Sequence, residues 1–391
     1  MKVDKSKWAE TAFAEIATSQ LGKTLDANKN KGLPYPYLCA ANIGMGYFNL
    51  SNVKEILLDD SELEKYLVRK GDLLICEGGD TGRCAIWESE DPIYYQNALH
   101  RVRFNDDIHN KFIMYYLHYY KKVGIIDKLS HGQTIKHFTQ KGLSKLSFRM
   151  PTVSEQKGIA SELDAIQAMI DGYNAQLHDL DELIKSIFND TFGEPISNPK
   201  GWDVDILENI VSDDCPITYG IVQPGDDVNE GIPVVRPVDL IGTYVNKTFL
   251  KKVSPEISDS YKRTILKGNE ILICVRGTTG VVSFATEDMK GCNVTRGIVP
   301  LSFIRHNKWF MYWCIKSYEM NNLIQKYTKG ATLKQINIKD LRQLPFPTPP
   351  LELQETFGKQ AELIETQRAL LNQQISDTRN LMAERMQYYF S

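Results

Sequence analysis

The sequence contains no long apolar run. In 391 residues the longest apolar stretches, such as 112–117, fall far short of the roughly 18 residues that a membrane-spanning helix needs. The N-terminal segment MKVDKSKWAE has no apolar region typical of a signal peptide. The seven cysteines form neither a Cys-x-x-Cys pair nor a zinc-ligand spacing, and their odd number argues against a disulfide framework. We therefore expect a cytoplasmic protein with reduced thiols and no membrane association.

Catalytic motifs are also scarce. The Gly/Thr loops at 78–82 and 277–280 lack the Lys-Ser/Thr of a Walker motif and do not fit Gly-x-Gly-x-x-Gly. We interpret both as tight turns after buried strands. The sequence has no Asp-Pro-Pro-Tyr or Asn-Pro-Pro-Tyr methyltransferase signature and no His-x-x-x-His pair. We predict that the chain is not an enzyme and that it has no metal site and no cofactor of its own.

Charge is distributed unevenly along a chain whose total formal charge is only −3. Residues 1–153 carry +3, 154–193 carry −6, 194–350 carry +2 and 351–391 carry −2. Within the basic segments, Lys and Arg cluster at 128–149 and again at 326–342. A solvated surface is the ordinary interpretation of such a cluster. Its recurrence at the same place in both halves favours a surface that faces a polyanion.

An internal repeat accounts for this recurrence. Residues 128–193 placed on 326–391 match at sixteen of sixty-six positions without a gap. Upstream matches are 109–115 with 306–312, the strand-like run 73–76 with 271–274, and Trp8 with Trp202. The chain is therefore a duplication of a unit of about 195 residues, and two copies of that length are too few for a solenoid.

Each copy divides into a globular part and a helical part. Short β-branched runs with Gly, Pro and Asn punctuation predict α+β domains at 1–150 and 194–348. A proline-marked boundary precedes each helical segment, which we place at 151–193 and 349–391. We expect the two long helices to pack antiparallel as a coiled-coil spacer, which makes the duplication a pseudo-two-fold.

Apolar residues in the first helical segment alternate in steps of four and three, which is the a/d seam of a coiled coil. They are Ile159, Leu163, Ile166, Ile170, Tyr173, Leu177, Leu180, Ile184 and Ile187. The second segment keeps Phe357, Ala361, Ile364, Leu371, Ile375, Met382 and Tyr389. Its remaining seam positions hold Arg368, Thr378 and Arg385, so the seam could instead shift to Leu363, Leu370 and Leu381.

The order of these features resembles the specificity subunit of type I restriction-modification systems. The motif Gly-x-Thr-Ile/Leu-Lys stands at 132–136 and at 330–334, before Pro151 and Gln156 in one copy and Pro349 and Gln354 in the other. Ser147 and Arg149 stand where the second copy has Pro345 and Pro347. This departure leaves the expected fold unchanged.

The resemblance implies a division of labour among subunits. The globular domains would each recognise one half of a bipartite, asymmetric double-stranded DNA target. The helices would fix the spacing and dock two methyltransferase subunits, which bring S-adenosylmethionine. Separate restriction/translocase subunits, which use ATP and Mg, would cleave DNA. We assign partner docking to helix residues Ile159, Leu163, Ile166, Ile170, Leu177, Ile364, Leu371 and Ile375.

Loop cations and polar residues at matching places in the two copies are the candidate DNA contacts. We place Arg83 after the first Gly loop and Arg276 in the second; the full set is Arg83, Lys136, His137, Arg236, Arg276, Arg296, Lys334 and Gln335. Lys136 and Lys334 recur in domains expected to read different sequences, so they suit phosphate contacts better than base contacts. The alternative is a non-catalytic coiled-coil adaptor that binds proteins and not DNA, which would not need the repeated basic clusters.

Overall fold

The protein forms two compact units in a computed structural model that describes residues 3–26, 30–132, 136–330 and 333–391. Unit 1 comprises residues 1–174 and 372–391, and unit 2 comprises residues 175–371. Each long helix therefore contributes one half to each unit.

The described residues of unit 1 form ten strands and several helices. The strands are β1 (Ala9–Ala12), β2 (Ala17–Leu21), β3 (Leu33–Leu38), β4 (Lys54–Leu58), β5 (Leu67–Val68), β6 (Leu73–Cys76), β7 (Cys84–Ile86), β8 (Ile93–Tyr95), β9 (Leu99–Phe104) and β10 (Ser147–Met150). The helices are α1 (Phe13–Ile16), α2 (Asp60–Leu63), α3 (Asn110–Lys122), α4 (Ile125–Leu129) and α5 (Gln140–Leu143). The first long helix, α6 (Val153–Phe192), begins in unit 1 and ends in unit 2.

Two four-stranded sheets form the body of unit 1. One is antiparallel in the order β2-β9-β6-β7, and the other is mixed in the order β4-β3-β8-β5, with β3 and β8 parallel. Strand β6 is buried on both faces: Leu73 and Ile75 join the core that includes α3, whereas Leu74 and Cys76 join the core beneath the mixed sheet. Burial on both faces explains why this strand is a continuous apolar run and does not alternate.

Unit 2 repeats this order with shorter strands. They are β11 (Val204–Ile206), β12 (Ile232–Val235), β13 (Lys251–Val253), β14 (Ile271–Cys274), β15 (Val282–Phe284), β16 (Asn293–Val294), β17 (Ile298–Leu301) and β18 (Pro345–Pro347). The helices are α7 (Leu207–Ile210), α8 (Pro255–Asp259), α9 (Lys308–Lys316), α10 (Tyr318–Tyr327) and α11 (Ile338–Arg342). The second long helix, α12 (Leu351–Phe390), begins in unit 2 and ends in unit 1.

The sheets of unit 2 correspond to those of unit 1. The antiparallel sheet has the order β15-β14-β17, and the mixed sheet has the order β13-β12-β16 with β12 and β16 parallel. Strand β14 alternates between two cores, with Ile271 and Ile273 on one side and Leu272 and Cys274 on the other. The matching runs at 73–76 and 271–274 are therefore equivalent central strands.

A buried glutamine fixes the start of each long helix. In unit 1, Gln156 Oε1 accepts a hydrogen bond from the His109 backbone N–H at 2.8 Å, and its Nε2 donates to the Pro151 carbonyl at 3.0 Å. In unit 2, Gln354 Oε1 accepts from the Asn307 N–H at 3.0 Å, and its Nε2 donates to the Pro349 carbonyl at 2.7 Å. These bonds explain why a proline and a glutamine recur together at both boundaries.

The long helices pack antiparallel within each unit. In unit 1, early residues of α6 share a core with late residues of α12, as Leu163 does with Met386 and Phe390. In unit 2, late residues of α6 share a core with early residues of α12, and the Phe188 and Phe357 rings lie 5.5 Å apart. The predicted α+β fold with two similar domains and two long antiparallel helices is confirmed. The domain boundaries at 150, 193 and 348 stay a prediction.

Two of the three polar positions in the second seam, Arg368 and Arg385, form ion pairs with the other helix. In unit 1, Arg385 Nε lies 2.5 Å from Glu162 Oε1, and Tyr389 Oη donates to Glu162 Oε2 at 2.7 Å. In unit 2, Arg368 pairs with Asp181. Burial alone would raise the pKa of Glu162, but the hydrogen bonds that its carboxylate accepts, of which the one from Arg385 lowers the pKa most, outweigh burial and bring this pKa to about 2.

Candidate nucleic-acid interface

Three loops of unit 2 meet at the end of its central strand. They are the Gly/Thr loop after β14 (275–281), the turn before β17 (295–297) and the described parts of the loop after α10 (328–330 and 333–336). The Val275 N–H donates to the Gly297 carbonyl at 2.8 Å, and the Ile336 N–H donates to the Val275 carbonyl at 3.0 Å. The Gly277 N–H donates to the Lys334 carbonyl at 2.8 Å. Backbone hydrogen bonds thus join all three loops, which we call the loop edge of unit 2.

Unit 1 has an equivalent loop edge. The Glu77 N–H donates to the Ala98 carbonyl at 2.9 Å, and the Phe138 N–H donates to the Glu77 carbonyl at 2.7 Å. His131 and His137 exchange backbone hydrogen bonds at 2.9 and 2.8 Å, as Lys329 and Gln335 do at 2.8 Å in unit 2. The two units therefore share one backbone scaffold at this edge.

Both Gly/Thr loops are tight turns. Gly82 and Gly280 have φ angles of +81° and +89°. Their N–H groups donate to the backbone carbonyls of Cys76 and Cys274, respectively, at 2.9 Å. A side chain at Gly82 would meet Ile126 at 2.6 Å, so packing as well as backbone conformation requires glycine there. These loops close on the preceding strand, as a turn does.

Two of the four candidate arginines are held inside their own domain. Arg83 Nη1 donates to the Ile43 carbonyl at 2.6 Å and Nη2 donates to Ala40 at 3.1 Å. Arg236 forms a bidentate pair with Asp239, with distances of 3.0 and 2.8 Å. Both guanidinium groups fix loop structure.

The predicted match between Arg83 and Arg276 is wrong. The Cys76 N–H donates to the Arg83 carbonyl, and the Cys274 N–H donates to the Val281 carbonyl, both at 2.8 Å. Arg83 therefore corresponds to Val281. Arg276, which forms a β-bridge with Gln335, corresponds to Gly78, which forms one with His137.

The other two arginines lie together on the loop edge of unit 2. A side chain built at Gly297, next to Arg296, would lie 3.6 Å from the Arg276 carbonyl oxygen, so the two loops touch. Within the described part of the chain, neither guanidinium has a hydrogen bond or ion pair. Arg296 lies over the ring of Tyr219, with 5.8 Å from Cζ to the ring centroid. Lys334 is exposed, and Gln335 is partly exposed.

The loop edge of unit 1 carries a different set of side chains. Lys136 and His137 are exposed. Asn97 is the counterpart of Arg296, because the Asn97 N–H donates to the Lys23 carbonyl and the Arg296 N–H donates to the Ile221 carbonyl at the equivalent place. Glu77 stands in the place of Val275, and burial raises its pKa while His137 opposes that shift. The edge of unit 2 is therefore the more basic of the two.

Part of the repeated Gly-x-Thr motif lies outside the described residues, namely 133–135 and 331–332. The flanking Lys136 and Lys334 are described and exposed in both units. Sequence comparison missed Tyr219, because its counterpart in the first copy is Leu21 and no motif marks it.

Most helix residues predicted to bind partners are buried inside the chain. Ile159 and Leu163 are fully buried, and the remaining buried members are Ile166, Ile170, Ile364, Leu371 and Ile375. Leu177 is partly exposed. The alternative seam through Leu363, Leu370 and Leu381 is wrong, since these side chains are 63%, 52% and 42% exposed. Leu363, Leu370 and Leu381 therefore lie outside the buried seam.

The described ranges contain neither a membrane-spanning helix nor a metal-binding cluster. No helix there is long and apolar enough to cross a membrane. No group of three or more His, Cys, Asp or Glu side chains in these ranges could hold a metal ion. All seven cysteines are free thiols, and burial raises the pKa of Cys76 and Cys215 to about 11.

Comparison with known proteins gives a consistent family. The family model for the type I restriction modification DNA specificity domain matches residues 5–180 and 219–377. The chain is 27% identical over 325 residues to the specificity subunit of the Escherichia coli type I restriction enzyme EcoBI, covering 76% of this chain and 68% of that protein. It is 26% identical over 376 residues to the putative MjaX specificity subunit of Methanocaldococcus jannaschii, covering 88% and 83%.

Solved structures share the fold. The S subunit of a type I restriction-modification system from M. genitalium aligns over 100% of this chain and 98% of its own, with a TM-score of 0.57 and 15% identity. A chain from a study of complex assembly and conformational transition of the type I R-M system aligns over 98% and 97%, with a TM-score of 0.60 and 16% identity. The chain belongs to the type I restriction-modification DNA specificity family and is a non-catalytic, DNA-recognising specificity subunit.

Proposed function

We propose that each globular half reads one half of a bipartite, asymmetric DNA target. The observation that carries this proposal is the repeated loop edge, where one backbone scaffold presents different side chains. Positions 78, 97 and 137 of unit 1 hold Gly, Asn and His, whereas positions 276, 296 and 335 of unit 2 hold Arg, Arg and Gln. Base-edge readout depends on side-chain donors and acceptors, so two such sets suit two different half-sites.

Phosphate contacts are assigned to the residues that do not differ. Lys136 and Lys334 follow the same motif, are exposed in both units and have no acidic partner in the described residues. A cation common to two readers of different sequences contributes affinity and register but no sequence information.

Partner docking is assigned to the exposed face of the long helices. Leu363 and Leu370 on α12 are seven residues apart and more than half exposed, and Leu183 on α6 is 48% exposed. Leucines seven residues apart share one face of a helix, and such a repeated apolar face suits a protein interface. We propose that two methyltransferase subunits, which carry S-adenosylmethionine, bind this face. Restriction/translocase subunits with ATP and Mg join through them, and the complex works in the cytoplasm.

The adaptor alternative has less support. An adaptor would explain the exposed leucines. It would not explain why Arg276 and Arg296 lie on the loop edge of unit 2 with no acidic partner among the described residues.

Reconstitution with the methyltransferase subunits tests the proposal. We expect no methylation by the chain alone. Once the subunits are added, methylation should occur at one bipartite, asymmetric sequence, mapped by sequencing methylated DNA. Formation of a stable complex that methylates without sequence preference would contradict DNA readout and support the adaptor function. Turnover by the highly purified chain alone would contradict the absence of a catalytic site.

A further inference from the structure

Gln335 is held at a fixed position on the loop edge of unit 2. Its N–H donates to the Lys329 carbonyl and its carbonyl accepts from the Lys329 N–H, both at 2.8 Å. The neighbouring Ile336 N–H is bonded to Val275 at 3.0 Å. Such a backbone cannot shift by more than a fraction of an ångström without breaking several hydrogen bonds, so the direction of the Gln335 side chain is set by its own torsions.

Tyr219 fixes those torsions. Its phenolic oxygen accepts a hydrogen bond from Gln335 Nε2 at 3.0 Å and another from the Ile338 N–H at 3.3 Å. One N–H of the Gln335 amide is thereby occupied. The second N–H and Oε1 form no hydrogen bond within the described residues. The amide is therefore oriented, and its second N–H and Oε1 remain available to a base.

A donor beside an acceptor is the pattern that matches adenine in the major groove, where N7 accepts and the N6 amino group donates. Guanine offers two acceptors at the same edge, and cytosine offers a donor without N7. Resting on the proposed function, we propose that Gln335 reads an adenine of the half-site bound by unit 2, and that Tyr219 is its positioning residue.

The duplication supports this choice of reader. His137 occupies the equivalent place in unit 1, on the same pair of backbone hydrogen bonds, and Leu21 stands where unit 2 has Tyr219. The lysine one residue earlier is the same in both units. A position with a constant backbone and a variable side chain is where two half-sites can be told apart, whereas the constant lysine suits the phosphate.

The surroundings of Gln335 also suit nucleic acid. Arg296 lies over the Tyr219 ring, and Arg276 forms a β-bridge with Gln335. Both arginines place positive charge on the same loop edge as the amide. Charge of this kind attracts the phosphates that flank a read base.

Binding of the reconstituted complex to modified duplexes tests the proposal. Once the target of the wild-type complex is mapped, each base pair is substituted in turn, and each adenine is replaced by 7-deazaadenine. Removing N7 at the adenine read by Gln335 should weaken wild-type binding by about 10- to 100-fold. Gln335→Ala should lose affinity for the natural target by a similar factor and become insensitive to 7-deazaadenine at that position alone.

Two further variants separate positioning from folding. Tyr219→Phe should reduce discrimination at the same base pair while its binding to unrelated DNA stays at the wild-type value, and its melting temperature should fall only slightly because the Ile338 N–H loses its bond to the phenolic oxygen. His137→Ala is the matched control, and it should change base preference only in the other half-site.

Each outcome decides one question. If Gln335→Ala keeps every base preference of the wild type, or loses affinity equally on all sequences, Gln335 reads no base and the inference is wrong. If Tyr219→Phe changes only the melting temperature, Tyr219 is not a positioning residue. If the wild-type complex shows no sequence preference, the proposed function fails before this inference is reached.

Discussion

Removing one buried amide should destabilise unit 2 by a measurable amount. Gln354 is 1% exposed; its Oε1 accepts from the Asn307 N–H at the start of α9, and its Nε2 donates to the Pro349 carbonyl just before α12. Gln354→Ala would leave the buried Pro349 carbonyl without its partner, at a cost of about 2 kcal/mol, and the half-buried Asn307 N–H, at about 1 kcal/mol. We expect the free energy of unfolding to fall by roughly 2–4 kcal/mol.

Urea unfolding followed by tryptophan fluorescence measures this change, because Trp309 lies two residues after Asn307 and belongs to the same core. Glu355→Ala is the matched control: its side chain is exposed, and we expect a change within about 0.5 kcal/mol. A loss for Gln354→Ala no larger than that of the control would refute the view that this amide fastens the helix to the domain.

Three other predictions concern DNA affinity, partner docking and pH. Lys136→Ala and Lys334→Ala should each weaken binding similarly on all sequences and reduce the slope of log affinity against log salt by about 0.9 per lost phosphate contact; loss on one sequence only would mean base readout. Leu363→Glu should weaken methyltransferase binding in a pull-down and leave the melting temperature unchanged. Ile364→Ala should lower the free energy of unfolding by about 2–5 kcal/mol and leave binding unchanged. The reverse pattern would mean that the partner docks on the seam. The pKa of Glu162 is lowered to about 2 from 4.5, so its carboxylate stabilises the fold above pH 4.5 and loses this effect as the pH falls toward about 2. Acid unfolding should therefore show that the stability difference between the wild type and Glu162→Gln shrinks as the pH falls. A difference that stays constant over this range would contradict the prediction.

Large periodic features of the fold could be predicted from the sequence. The unbroken four-three spacing from Ile159 to Ile187 reflects burial of one helix face, and that face is largely buried in the structure. The run Leu73-Leu74-Ile75-Cys76 and its copy predict strands covered on both faces. Such features depend on many residues that share one period, so the pattern survives individual exceptions.

Single side chains could not be predicted in the same way. Leu363 and Ile364 are adjacent and similarly apolar, yet one is 63% exposed and the other 7%, because adjacent positions lie about 100° apart around a helix. The seam through Ile364 accommodates Arg368 because Asp181 pairs with it. The sequence suggested that Arg83 is a free cation in a loop. In the structure its guanidinium donates to the carbonyls of Ile43 and Ala40, which lie 40 and 43 residues earlier in the chain. Tertiary partners of this kind leave no local signal.

Exchange of one globular half tests the central claim most directly. In this variant residues 8–150 replace residues 202–348, so that both globular positions carry the loop edge of unit 1. Methylation mapping of the reconstituted complex should then show one half-site unchanged and the other replaced by a second copy of it. If a variant that still melts cooperatively and binds the methyltransferase keeps the original asymmetric target, or alters both half-sites, the globular halves do not each read their own half-site.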